Sequence, residues 1–297
     1  MPEFAIARPL RTPAPLPDGE AHAQAARIGR LAIRSLYREA ALAGKPGLVC
    51  PGSQGSHRDM DFATFVRSLQ ALRPYFPAIA ACGQQRPGFA PLQTLGIAAE
   101  CEMLAATGGV NTHRGAIFNL GLLCAAAGRL VAEGKQPAAQ AVCMSVAEHW
   151  GEAIRGSQND VPAAASHGLI VARRYGCGGA RQEAAAGFPA AWELGLPAYS
   201  EVLAATGDPE RAALQALFAL IAGLEDSNLL WRGGREGLAY GRRRASEFLE
   251  AGGVLSAGWR THADAIGSAF VARRLSPGGS ADLLGVTLFL TGLQGLN

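Results

Sequence analysis

The stretch GGVNTHRGAIFNLGLLCAAAG, residues 108–128, changes character near its middle. Its first part is small, polar and prone to turns, and its second part is an apolar run broken by Asn119 and glycine. This pattern predicts a loop that opens directly into a buried helix, with Asn111 or Thr112 as the N-cap.

The first turn of that helix carries unpaired backbone N–H groups and a partial positive charge. His113 and Arg114 lie beside it in the sequence, and together they predict a phosphate pocket, because helix N-termini bind anions. An ordinary core helix whose His and Arg face solvent fits the stretch equally well. Both interpretations stay open from these residues alone.

Composition indicates a globular protein, because the 297 residues are 49% hydrophobic and 17% charged. The formal net charge of +3 is too small to indicate nucleic-acid binding. The six cysteines are scattered without a CxxC pair, which favours reduced thiols in the cytoplasm over disulfides or a zinc site. No secretory signal is expected, because the N-terminal segment 1–18 is rich in proline and has no apolar region. No membrane span is expected, since the apolar run 116–132 contains Asn119 and Arg129.

Helical periodicity recurs along the chain, and no alternating run bounded by hairpin turns is present. We expect an all-α fold of roughly a dozen helices, with a Pro-rich N-terminal leader over residues 1–19 and a single domain over residues 20–297. A capping box is predicted at residues 56–59 and one continuous helix at 210–230. Ser280 is the predicted N-cap of a last helix, 281–293. In helix 92–107 the predicted apolar stripe is Ile97, Cys101 and Leu104, with Glu100 beside it.

Short Gly-rich loops next to cations or hydroxyls recur at residues 45–47, 55–58, 108–115, 178–181 and 277–280. One such loop is weak evidence, but several in one helical domain predict a ligand with more than one phosphate. No Walker A loop is present. The candidate nucleotide- and phosphate-binding residues are Lys45, Ser56, Arg58, Gly108, Gly109, Asn111, Thr112, Arg114, Arg181, Asn228, Arg232, Gly278, Gly279 and Ser280.

Carboxylates near these loops could hold Mg²⁺, as sites for nucleoside triphosphates usually do. The candidate polar groups are Asp59, Asp61, Glu100, Glu102, Asp226, Asn228 and Asp282. Simpler explanations compete: Asp59 caps its helix, Asp226 ends a helix in solvent, and Asp282 favours a helix dipole from the first turn.

Several long motifs occur in an order that resembles one enzyme family. They are KPGLV (45–49), GSHRDMD (55–61), TGGVNTHRGAIF (107–118), GARQEA (179–184), GFP (187–189), DSN (226–228), RGG (232–234) and SPGGSADLL (276–284). The family is that of the triphosphoribosyl-dephospho-CoA synthases, which make the prosthetic-group precursor of malonate decarboxylase or citrate lyase. Arg58 and Arg114 stand where this family is expected to have Lys.

The resemblance implies that ATP and 3′-dephospho-CoA are joined through ribose, with release of adenine. Such a reaction needs a base and an acid, and we hypothesise Asp59 or Glu100 as the base and His57 or His113 as the acid. Asp61 or Asp226 would bind Mg²⁺, and Lys45, Arg58, Arg114 and Arg232 would neutralise the triphosphate. Loop 277–280 would bind a second phosphate group.

The resemblance also implies that a separate transferase passes the product to an acyl carrier protein. The sequence leaves a homodimer open, and no nucleic acid or membrane is expected as a partner. Three rival functions are an ATP-dependent kinase or ligase, a helical hydrolase of nucleotide N-glycosidic bonds, and a non-catalytic nucleotide-binding module.

Overall fold

The computed structural model describes residues 18–157 and 167–295, and within these ranges the chain is helical without a β-strand. The all-α prediction is therefore confirmed. Apart from short 3₁₀ and π segments, the helices are α1 (Asp18–Ala41), α2 (Phe62–Leu72), α3 (Tyr75–Gln84), α4 (Phe89–Thr107), α5 (Arg114–Ala132), α6 (Ala139–Gly156), α7 (His167–Tyr175), α8 (Gly179–Ala185), α9 (Leu196–Thr206), α10 (Pro209–Gly223), α11 (Ser227–Glu250), α12 (Trp259–Ala272) and α13 (Gly278–Gly292).

Most of the leader predicted over residues 1–19 lies outside the described residues, while Asp18 and Gly19 belong to α1. Helix α3 was not predicted, because Pro74 in the sequence indicated the end of the preceding helix and not the start of a new one. In the structure Pro74 is the N-cap residue of α3, a place where its missing N–H costs nothing.

Helix α5 is the centre of the fold and packs against α1, α3, α4, α6 and α13. It is long and apolar enough to cross a bilayer, but 72% of that apolar stretch is buried inside the protein. A side chain at Gly83 would overlap the backbone of Ala125, and one at Gly128 would overlap the carbonyl of Ala80. Because glycine has no side chain at these two positions, the backbones of α3 and α5 pack in direct contact.

The predicted single helix over residues 210–230 is wrong, because α10 ends at Gly223 and α11 begins at Ser227. Asp226 is the N-cap of α11: its Oδ1 accepts from the N–H groups of Asn228 (2.8 Å) and Leu229 (3.2 Å). A capping acid inside an apolar run starts a new helix even though the apolar periodicity continues across it. Helix α11 itself kinks at Gly234, where φ is +61°.

Three further predicted caps are wrong by a few residues. The capping box is formed by Asp61 and Thr64, not by residues 56–59: Asp61 Oδ1 accepts from the Thr64 N–H at 2.8 Å. The N-cap residue of α5 is His113, although Asn111 Oδ1 does accept from the Arg114 N–H at 3.1 Å. The last helix begins at Gly278, which places Ser280 inside it.

Candidate active site

Two adjoining cavities lie at the N-terminal end of α5. The first, of about 760 Å³, is called the polar cavity here, and the second, of about 500 Å³, the apolar cavity. Arg114 and Gly115, the first two residues of α5, line both cavities. The loop-to-helix transition that the sequence singled out thus lies where the two cavities meet.

The polar cavity combines several of the predicted phosphate loops. Gly109, with φ of +87°, and Asn111 belong to the loop before α5, whereas Gly278 and Gly279 form the start of α13. Gly278 packs against the Asn228 side chain, leaving no room for a larger residue there. Two helix starts with small residues therefore face one cavity, an arrangement that suits a polyanion.

Arg232 lies at the polar cavity in a fixed position. Its Nη1 donates to the carbonyl oxygens of Ser56 (3.0 Å) and Arg274 (3.2 Å), and its Nη2 donates to His57 Nδ1 at 3.1 Å. Because His57 Nδ1 accepts that bond, Nε2 carries the proton of the neutral ring and donates to Ser276 Oγ at 2.9 Å.

Burial and the neighbouring Arg232 charge lower the pKa of His57 to about 4, against a smaller opposing effect of Asp59. His57 is therefore neutral at pH 7 and holds Arg232 in place. The Asp59 carboxylate lies 3.9 Å from His57 Nδ1, lines the polar cavity and is 64% exposed. Both ring nitrogens of His57 are engaged by Arg232 and Ser276, whereas the Asp59 carboxylate is open to the polar cavity.

Glu100 and Arg114 form an ion pair at the boundary of the cavities. Glu100 lines the apolar cavity only, and Arg114 lines both. Since the Glu100 carboxylate is already paired with Arg114, it is less suited to the base role than Asp59. Arg181 also lies at the apolar cavity, where its Nη1 donates to Ser157 Oγ at 2.5 Å.

The predicted site residues divide according to whether they reach a cavity. Those that line one or both cavities are His57, Asp59, Glu100, Gly109, Asn111, Thr112, Arg114, Arg181, Asn228, Arg232, Gly278 and Gly279. Those that line neither are Lys45, Ser56, Arg58, Asp61, Gly108, His113, Asp226 and Ser280.

Lys45 and Glu39 form a buried ion pair at 2.6 Å, so the Lys45 charge is directed into the core and not toward a phosphate. Ser56 Oγ donates to the Leu275 carbonyl at 2.5 Å and thereby fixes its loop. Arg58 is exposed, and Gly108 ends α4 in the left-handed conformation.

His113 is 2% exposed and is hydrogen-bonded through Nδ1 to Ser68 Oγ at 2.6 Å. Burial, with a smaller effect of Lys45, lowers its pKa to about 3, so its ring is neutral. A neutral, buried histidine that reaches neither cavity is poorly placed to protonate a leaving base. It supports the start of α5 from the core side.

The predicted Mg²⁺ ligands are both used as helix caps. Asp61 is an exposed N-cap of α2. Asp226 is 1% exposed, and its Oδ2 accepts from the backbone N–H (2.7 Å) and the hydroxyl (2.9 Å) of Ser280. Asp226 and Ser280 thus join the starts of α11 and α13, with both oxygens of the carboxylate engaged.

Two further polar residues line the polar cavity: Asn119, which was not predicted, and Asp282, which was predicted only as a candidate Mg²⁺ ligand. Asn119 is 1% exposed, and neither atom of its side-chain amide has a hydrogen-bond partner among the described residues. The Asp282 carboxylate lies against Gly115, where any side chain would collide with it. Burial, together with the negative charges of Glu39 and Asp226, raises the pKa of Asp282 well above its ordinary value.

The sequence contained a signal for both residues. Asn119 is the only amide or carboxylate side chain in α5, and Asp282 is the only one in α13; both helices consist mostly of apolar residues. Asp282 was assigned to a first helical turn, but α13 begins at Gly278 and places it in the second turn. Because buried polar groups without partners are rare, the unpaired amide of Asn119 makes this residue a candidate for a ligand contact.

Comparison with known proteins identifies the family of the chain. Residues 25–297 match the family model described as ATP:dephospho-CoA triphosphoribosyl transferase. The chain belongs to this family. It is therefore an enzyme, a transferase that forms triphosphoribosyl-dephospho-CoA, and the resemblance seen in its motifs is confirmed.

Relatives in several bacteria cover nearly the whole chain. A probable 2-(5''-triphosphoribosyl)-3'-dephosphocoenzyme-A synthase from Acinetobacter calcoaceticus is 45% identical over 90% of both chains. The synthase of the same name from Pectobacterium atrosepticum is 41% identical over 89% of this chain and 88% of its own. The synthase from Klebsiella pneumoniae is 41% identical over 87% of this chain and 88% of its own. No solved structure matches the chain.

Proposed function

We propose that this transferase joins ATP to 3′-dephospho-CoA through ribose, gives 2′-(5″-triphosphoribosyl)-3′-dephospho-CoA and releases adenine. The observation that supports this most directly is the polar cavity, where the α5 and α13 starts and Arg232 surround a space of about 760 Å³. Binding of two nucleotides needs several anion contacts, and the reaction between them needs a carboxylate as base. Asp59 and Asp282 line the same space.

In the proposed reaction the 2′-hydroxyl oxygen of dephospho-CoA attacks C1′ of the ATP ribose. The C1′–N9 bond breaks, and its electron pair leaves with adenine. The hydroxyl proton passes to the Asp59 carboxylate, and a proton from a general acid neutralises the departing purine. The triphosphate is not cleaved, and attack opposite the base inverts the configuration at C1′.

For the acid we propose Asp282 in place of either histidine. A carboxyl with a raised pKa keeps its proton closer to neutral pH, whereas His57 and His113 have lowered pKa values and are neutral. Asp282 also lines the polar cavity, which His113 does not. Asn119, unpaired and facing the same space, would hold a hydroxyl or ring nitrogen of a nucleotide.

Arg114, Arg232 and the backbone at the starts of α5 and α13 would neutralise the phosphates. Mg²⁺ is proposed to arrive with ATP. Within residues 18–157 and 167–295 no group of three His, Cys, Asp or Glu could hold a metal ion. Mg²⁺ is commonly bound by substrate phosphates and only one or two carboxylates, and Glu225 lines the polar cavity.

The proposed cellular role follows from the family. The product would serve a separate transferase that loads the acyl carrier protein of malonate decarboxylase or citrate lyase. Such a reaction takes place in the cytoplasm, where ATP and dephospho-CoA are available and where the free cysteines of the described residues stay reduced. A homodimer remains part of this proposal.

The central experiment incubates the protein with Mg²⁺, ATP and dephospho-CoA and analyses the nucleotides by chromatography. Free adenine that requires dephospho-CoA is expected. Formation of ADP or AMP would indicate a kinase or ligase, and adenine without dephospho-CoA a hydrolase; either result would refute the proposal. Binding of ATP without any turnover would leave only the nucleotide-binding module.

The proton-transfer roles are tested with Asp59→Asn and Asp282→Asn. Each is expected to lower turnover at least about a hundredfold with the fold intact, as circular dichroism would verify. The matched control is Asp61→Asn, two residues from Asp59 but outside both cavities, where asparagine still caps α2. Near-normal turnover in either test variant would remove that residue from its role.

A further inference from the structure

The apolar cavity is lined mainly by side chains that a folded protein would normally cover. Ile97 on α4 is 58% exposed, and Cys101 on the same face is exposed as well. The sequence assigned these residues, with Leu104, to the core-facing stripe of α4. In the structure Met103 and Thr107 face the core, and the Ile97–Leu104 face borders the cavity together with Phe118.

The apolar cavity continues into the polar cavity. Arg114, Gly115, Gly179, Ala180 and Ser227 line both. A molecule that crosses this boundary would have anionic groups beside Arg114 and uncharged groups beside Phe118. The arrangement therefore suits an elongated ligand that is charged at one end and neutral along the rest.

A few polar side chains are placed along the otherwise apolar wall. Gln93 is exposed and lines the cavity, and Arg181 lies with its guanidinium 6.0 Å from the centre of the Phe118 ring. An apolar wall with a few hydrogen-bonding groups is typical of pockets for small organic ligands, and 500 Å³ is within their usual range of about 300–1,000 Å³.

Of the two substrates, only dephospho-CoA has such a shape. Its diphosphate continues into the pantetheine arm, which is uncharged and carries two amides and a pair of methyl groups. The uncharged part of ATP is a flat base and its sugar. We infer that the apolar cavity binds the pantetheine arm, while the diphosphate lies at the Arg114 boundary; this inference rests on the proposed function.

Gly96 offers a way to fill the apolar cavity without disturbing the core. It lies on α4 and lines the cavity, and a Cβ there would meet only the Tyr75 hydroxyl at 3.7 Å, an ordinary contact. Because leucine favours a helix more than glycine does, Gly96→Leu should fold. The matched control is Ala98→Leu, an exposed position of α4 that lines neither cavity.

Binding is measured by calorimetry with three probes: dephospho-CoA, phosphopantetheine, which has the arm alone, and ADP, which has no arm. Gly96→Leu is expected to lower the affinities for dephospho-CoA and phosphopantetheine at least tenfold. The affinity for ADP and the KM for ATP should change by less than twofold. Ala98→Leu should leave all of them unchanged. An unchanged affinity for dephospho-CoA, or a raised KM for ATP alone, would overturn the inference.

Cys101 provides a second measurement that does not depend on a variant. Its exposed thiol lines the apolar cavity, so alkylation by iodoacetamide can be followed by mass spectrometry of its peptide. Phosphopantetheine should slow this alkylation at least fivefold, and ATP should not; the reverse order would refute the inference. Protection by phosphopantetheine without any adenine release would support the inference while refuting the proposed function.

Discussion

The carboxylate of Asp226 provides the sharpest test of how the site is held together. It caps α11 through the N–H groups of Asn228 and Leu229 and accepts two further bonds from Ser280 on α13. Replacing Asp226 by alanine removes all of these acceptors at once. Because Asp226 is 1% exposed, water has little access to replace them.

The expected loss has two parts. A lost N-cap costs about 1 kcal/mol of unfolding free energy. The Ser280 N–H and hydroxyl, 0% exposed, would each be left without a partner at about 1–3 kcal/mol. Burial of the Asp226 carboxylate is itself unfavourable, as its raised pKa indicates, so its removal offsets part of the lost unfolding free energy. We expect Asp226→Ala to lower the unfolding free energy by about 3–4 kcal/mol.

Asp208→Ala is the matched control. The Asp208 carboxylate caps α10 through the same kind of bonds, from the N–H groups of Glu210 (2.9 Å) and Arg211 (3.1 Å), and it has no hydrogen bond to another helix among those of the described residues. It should lose only about 1 kcal/mol. Urea denaturation followed by circular dichroism measures both variants under the same conditions.

The difference between the two variants isolates the contacts between α11 and α13. A difference of about 2 kcal/mol or more is expected. In a Ser280→Ala background the loss caused by Asp226→Ala should be smaller, because the hydroxyl that donates to the carboxylate is then absent. If Asp226→Ala and Asp208→Ala agree within about 0.5 kcal/mol, the two helix starts are not joined by Asp226, and the reasoning is wrong.

Three further predictions follow from buried groups. Lys45→Met should cost about 3–5 kcal/mol by leaving Glu39 unpaired, with ATP affinity unchanged in titration; a large loss of ATP affinity would contradict the ion-pair role. Gly128→Ala should cost about 1–3 kcal/mol in urea, because its methyl group would overlap the Ala80 carbonyl; a neutral effect would contradict this. Because the pKa of His113 is lowered from 6.5 to about 3, the unfolded chain binds more protons between these pH values, and acidification below pH 6.5 should destabilise the fold. Urea denaturation at pH 7, 6 and 5 gives the change in unfolding free energy per pH unit. His113→Gln should reduce this change by at most about 1.4 kcal/mol per pH unit, and an unchanged pH dependence would contradict the prediction.

Much of the fold was predictable because its signals are local. The apolar run of α5 and the loop before it are contiguous in sequence, and both were located correctly. Part of the wall of the polar cavity was predictable from the glycine-rich motifs, as at Gly109 and at Gly278–Gly279. Exact helix starts were predicted less well, because a cap depends on which polar side chain finally faces the free N–H groups.

The roles of single charged residues were the least predictable. Lys45 lies in a motif that indicated phosphate binding, yet its partner is Glu39 in the core. Asp226 was expected either as a Mg²⁺ ligand or at a solvated helix end, yet it is buried against Ser280, 54 positions away. No local pattern records such partners, since burial and pairing arise only when the helices pack.

The sequence by itself determined that the chain is helical, that α5 is buried and that glycine-rich loops precede or open several helices. These properties depend on periodicity and on backbone preferences of neighbouring residues. The tertiary structure decided which polar groups reach the polar cavity, notably Asn119 and Asp282, and that an apolar cavity adjoins it. A cavity is the space that packed helices leave between them, so its shape and walls exist only once residues from distant parts of the chain have come together.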